Sequence, residues 1–122
     1  MRILVCGSRD GSDGELILSV LCDTSAISRI IHGAAPGADT LAGVAARTLG
    51  TSVQALPVDW ERYGHAAGAT RNQAMPDEGR PDLVLGFTED HGTCRGGNGM
   101  VPRARLAGIP VRLTSHAGER TL

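Results

Sequence analysis

An α/β fold, with one parallel five-stranded sheet between two helical layers, is predicted by three features of this chain. Short apolar runs alternate with segments of helical periodicity. The runs are continuously apolar, as suits strands buried on both faces. Segments rich in glycine and small polar residues follow one end of the runs, while the connections at the other end are short and ordinary.

Each element can be justified in order. Ile3–Cys6 is a strand that runs into Gly7. Ser12-Asp13-Gly14-Glu15 has the form of a capping box and opens a helix carrying Leu16, Ile17, Val20 and Leu21 on one face. Ile30-Ile31 is a second strand, ending at His32-Gly33. Ala38 or Asp39 opens a second helix with Leu41, Val44, Ala45 and Leu49, closed by Gly50 at the C′ position. Val53–Leu56 is a third strand, stopped by Pro57. A long polar loop leads to a helix over 70–75, stopped by Pro76. Leu83–Leu85 is a fourth strand, with Phe87 at its end. A glycine-laden loop precedes a helix over Pro102–Ala107, and Gly108 ends that helix before a fifth strand at Ile109–Leu113. The single domain spans 1–113, and 114–122 is expected to fray. The expectation is a three-layer Rossmann-like fold with strand order 3-2-1-4-5 and right-handed crossovers that place helices on both faces.

Composition narrows the function. The chain of 122 residues is long enough for one core, and 41% of it is apolar. No basic face is implied by a net charge of -1, which counts against a dedicated nucleic-acid binder. All 12 cationic side chains are arginine, which excludes Schiff-base chemistry and a P-loop lysine, and favours planar contacts to phosphate or carboxylate. Cys6, Cys22 and Cys94 stand far apart, with no metal-ligand spacing. No metal and no cofactor is expected. The odd cysteine count and the absence of a signal or membrane segment point to reduced thiols in the cytoplasm, with Cys6 a small buried hydrophobe, and the all-arginine usage points to a GC-rich bacterial or phage genome.

The strand ends then become the place to look for function. They are followed by Gly7-Ser8-Arg9, by Gly33 through Gly37-Ala38-Asp39, by Asp59-Trp60 through Tyr63 and on to Gly68, Arg71 and Asn72, and by Gly96-Gly97-Asn98-Gly99. Glycines let backbone N–H groups approach a phosphate, and a helix N-terminus adds donors and dipole. Arg9 and Arg71 can hold a phosphate bidentately, although Arg71 can equally pair with Asp59 or Glu78. Asp39 can accept from a ribose hydroxyl or simply cap its helix. Trp60 and Tyr63 either stack on a base or cover the end of the core. His32 is balanced between a structural and a functional role. The segment 7–11 lacks the second glycine of a dinucleotide fingerprint, which disfavours NAD.

These motifs, in this order, resemble the YspA-type branch of the SLOG superfamily, to which the Lonely Guy phosphoribohydrolases and DprA/Smf proteins are related. The resemblance runs over about residues 1–113. It implies a nucleotide, phosphoribosyl or ADP-ribose-type ligand, and a homodimer. Arg71-Asn72-Gln73-Ala74-Met75 is similar to the Arg-Lys-x-x-Met segment of the Lonely Guy enzymes. Gly96-Gly97-Asn98-Gly99-Met100-Val101-Pro102-Arg103 is similar to their Gly-Gly-x-Gly-Thr-x-x-Glu segment, but Arg103 stands where the catalytic glutamate would be. An N-glycosidase needs a carboxylate at the reacting centre. The expected function is therefore a sensor or sequestering module. The alternative is an N-glycosidase that uses Asp39 or Glu61 with Arg71, and binding of single-stranded nucleic acid comes third.

Overall fold

The computed structural model describes residues 1–7, 14–24, 26–33, 38–56, 60–64, 73–74, 76–87, 100–115 and 118–121. The strands are β1 (Arg2–Gly7), β2 (Arg29–His32), β3 (Ser52–Ala55), β4 (Leu83–Phe87), β5 (Val111–Ser115) and β6 (Gly118–Thr121). The helices are α1 (Gly14–Asp23), α2 (Ala38–Leu49), α3 (Trp60–Tyr63) and α4 (Met100–Leu106). Residues 73–74 and 76–79 are also helical.

The sheet order is β3-β2-β1-β4-β5-β6. The first five strands pair in parallel, in the expected order 3-2-1-4-5, and β6 joins β5 antiparallel. The register runs Ile3↔Ile30 between β1 and β2, Ile3↔Leu83 between β1 and β4, and Val84↔Val111 between β4 and β5.

Alternate side chains on each strand feed two separate cores. Ile3, Val5, Ile30, Leu83, Leu85 and Phe87 join Ile17 and Leu21 of α1 and Ala42, Ala45 and Ala46 of α2. Leu4, Cys6, Ile31, Val84, Val111 and Leu113 join Ala104 of α4 on the other face. There the helical stretch 76–79 also packs closely, since a Cβ on Gly79 would come within 2.9 Å of Ile31 Cδ1. The continuous apolar runs are thus explained by two buried faces. β3 is the exception: as an edge strand it leaves Ser52, Val53 and Ala55 exposed.

Two helices end in the manner the glycines predict. Gly50 (φ +68°) and Gly108 (φ +75°) occupy the left-handed C′ position. Thr51 N–H donates to Ala46 O at 2.9 Å and Gly50 N–H to Arg47 O at 3.1 Å. Ile109 N–H donates to Ala104 O at 2.9 Å and Gly108 N–H to Arg105 O at 3.1 Å. Both are Schellman closures.

Four expectations are corrected. The tail from 114 does not fray: β5 runs to Ser115, and Gly118–Thr121 forms β6, held by ladder bonds that the polar composition of the tail did not reveal. The polar loop after β3 contains the short helix α3. Pro76 is itself helical, the first residue of the stretch 76–79; proline is tolerated near a helix start, where its missing N–H has no helical partner. Cys6, 1% exposed, is disulfide-bonded rather than reduced, while Cys22 is an exposed free thiol. Cysteine counting cannot see which sulfurs a fold brings together. The third cysteine, Cys94, lies outside the described residues. Among the described residues no helix is long and apolar enough to cross a membrane.

Candidate functional site

The carboxyl ends of all five parallel strands lie on one edge of the sheet, and strand order reverses between β1 and β4. β1 ends at Gly7, β2 at His32, β4 at Phe87 and β5 at Ser115. In doubly wound sheets this reversal opens a crevice between loops that diverge to opposite faces. Gly33, buried, directly follows β2; Ala38 and Asp39 are the first two residues of α2; Trp60, Glu61 and Tyr63 lie on α3. Gly7, Gly33, Ala38 and Asp39 are therefore carried by strand ends or a helix start on one edge of the fold. Glu61 is exposed. Ser8, Arg9, Gly37, Asp59, Gly68, Arg71, Asn72, Gly96, Gly97, Asn98 and Gly99 lie outside the described residues.

Two buried polar side chains stand out among the described residues, and both are at this edge: His32, 8% exposed, and Thr114, 7% exposed. The carbonyl of His32 accepts from Leu56 N–H at 2.8 Å, which ties the ends of β2 and β3 together. Its imidazole lies against α2 at Gly43, where an added Cβ would stand 3.2 Å from Nε2. The small side chains of Ala42, Gly43 and Ala46 let α2 approach the sheet closely enough to cover the ring. Burial, and then the nearby positive charge of Arg47, hold the His32 pKa below its usual 6.5, so the ring is neutral at pH 7. Sequence reasoning left His32 undecided and missed Thr114. Val111 and Leu113 alternate onto the opposite face, so the apolar pattern of the strand held no signal for the burial of Thr114.

A third polar feature lies on the α4 face. Arg103 Nη1 donates to Gln73 Oε1 at 2.8 Å, and Gln73 Nε2 donates to Asp77 Oδ2 at 3.2 Å. The fold thus brings Gln73, two residues past Arg71, against the helix that follows the late glycine loop. Arg103 is engaged with an amide at this junction.

A family model described as YspA, cpYpsA-related SLOG family (YAcAr) matches residues 1–63, just over half of the 122-residue chain. The chain belongs to this SLOG family. The matched half runs from β1 through α3. It covers Gly7-Ser8-Arg9, Gly33 through Gly37-Ala38-Asp39 and Asp59 to Tyr63, while Gly68, Arg71, Asn72 and Gly96 to Gly99 lie beyond it. No curated protein matches the chain.

Proposed function

We propose that this SLOG domain binds a nucleotide, phosphoribosyl or ADP-ribose-type ligand in the crevice at the carboxyl ends of its strands, as a sensor or sequestering module. The observation that carries the reading is the reversal of strand order between β1 and β4, at the edge from which every glycine-rich segment departs. The ligand contacts are assigned to Gly7, Ser8 and Arg9, to Gly33, Gly37, Ala38 and Asp39, to Asp59, Trp60 and Tyr63, to Gly68, Arg71 and Asn72, and to Gly96 through Gly99. Backbone N–H groups and arginines take the phosphate, and aromatic rings take the base.

Binding without turnover is favoured by Arg103. It occupies the place of the glutamate in the Lonely Guy pattern, and its guanidinium is held by Gln73. A cation there cannot steady an oxocarbenium-like centre or activate water. The protein is placed in the cytoplasm as a homodimer. In that compartment a disulfide at Cys6 would belong to the transient, redox-responsive kind.

The test is calorimetry of the intact protein with AMP, ADP-ribose and ribose 5-phosphate, followed by chromatography of the same mixtures. Saturable binding with no release of free base supports the reading. Release of base would turn it into the glycosidase reading, with Asp39 or Glu61 as the carboxylate. No binding of any of the three would refute it.

A further inference from the structure

Thr114 carries a hydroxyl in an unusual position. The residue is 7% exposed, and its Oγ1 is buried with no hydrogen-bond partner among the described residues. Buried hydroxyls in folded proteins are almost always paired, and a standing exception calls for an explanation. Packing supplies none, because valine has nearly the same shape and would fill the space without the desolvated oxygen.

Its location suggests one. Thr114 is level with Phe87 in the β4–β5 register, and Phe87 is level with Gly7 in the β1–β4 register. The three residues form a row across the carboxyl ends of β1, β4 and β5, the strands that meet around the reversal of order. Parallel neighbours in register present their side chains to the same face. Phe87 belongs to the core beneath α1 and α2, so the Thr114 side chain stands on that face too. Gly7 adds no side chain to the row.

Resting on the function proposed above, we infer that Thr114 is a ligand-contacting, specificity-determining residue. Its hydroxyl donates a hydrogen bond to an oxygen of the ribose-phosphate part of the bound nucleotide. The free protein keeps an unpaired hydroxyl, and the ligand completes it.

The test compares wild type with Thr114→Val and Thr114→Ser, each by thermal melting without ligand and by calorimetry with AMP, ribose 5-phosphate and adenosine. Thr114→Val is expected to melt at the same or a higher temperature than wild type, because it removes an unpaired polar group, and to bind AMP and ribose 5-phosphate about tenfold more weakly, the worth of one hydrogen bond. Thr114→Ser keeps the affinity. Equal loss for adenosine assigns the contact to a sugar oxygen; loss confined to the phosphorylated probes assigns it to the phosphate. Wild-type affinity in Thr114→Val, or a lower melting temperature without ligand, would overturn the inference and leave the proposed function standing. Failure of the wild type to bind any probe would remove the proposed function itself.

Discussion

The two edges of the sheet treat their polar groups in opposite ways. At the amino edge the described turns are tied to the start of β1 by hydrogen bonds. The Met1 ammonium donates to Ala26 O at 2.6 Å, Ser28 N–H to Met1 O at 2.8 Å, Asp82 N–H to Arg2 O at 2.8 Å, and Arg2 N–H to Asp82 Oδ2 at 2.7 Å. Gly50 and Gly108 seal the two helices that descend to this edge. At the carboxyl edge the described residues include a neutral buried imidazole and a buried hydroxyl with no partner. One edge is complete as it stands, and the other holds polar groups in a dry setting. Stability is invested at the first, and capacity for a ligand at the second.

The largest effect comes from the core that joins both edges. Ile30 is fully buried beneath α1 and α2, and Ile30→Ala is expected to cost about 2–5 kcal/mol in chemical denaturation. That loss should appear as one cooperative transition of the whole sheet. A surviving local transition at either edge would separate the two regions further than the packing implies.

Next comes the amino edge alone. A Cβ on Gly50 meets nothing within 4 Å among the described residues, so the cost of Gly50→Ala is that of its left-handed φ of +68°, about 1–2 kcal/mol. The affinity for AMP should stay at the wild-type value. A fall in affinity would show the edges to be coupled.

The smallest effect concerns the carboxyl edge. The folded pKa of His32 is lowered, first by burial and then by Arg47, so the folded state holds fewer protons than the unfolded chain. The stability linked to the neutral ring is complete above the unfolded value near 6.5, and is lost as pH falls from there through the lowered folded value. Melting temperatures between pH 7.5 and 5 should fall in wild type and fall less steeply in His32→Gln. Parallel curves for the two proteins would assign the acid sensitivity elsewhere.

Legibility in the sequence follows the same division. The core strands announce themselves through continuous apolar runs such as Ile3–Cys6 and Leu83–Leu85, because burial on both faces leaves no room for polar residues. The helix ends at Gly50 and Gly108 are equally plain, since the left-handed position all but demands glycine. β6 was not legible: the pairing of Leu113 with Arg120 and of Thr114 with Glu119 depends on an edge supplied by β5, not on apolar pattern. Nor was the state of Cys6, which depends on spatial proximity alone. At the site, glycine motifs mark which strand ends matter. They do not show that Arg103 meets Gln73 or that Thr114 is buried unpaired, since both arise from contacts between distant segments.

The central claim is that the ligand sits at the carboxyl edge. A nitrogen–proton correlation spectrum of the protein titrated with AMP tests it directly. Shifts concentrated at Gly7, His32, Gly33, Phe87 and Thr114, with Ser28, Thr51, Asp82 and Ile109 unmoved, are the predicted result. Shifts at the amino edge, or none at millimolar AMP, would contradict it.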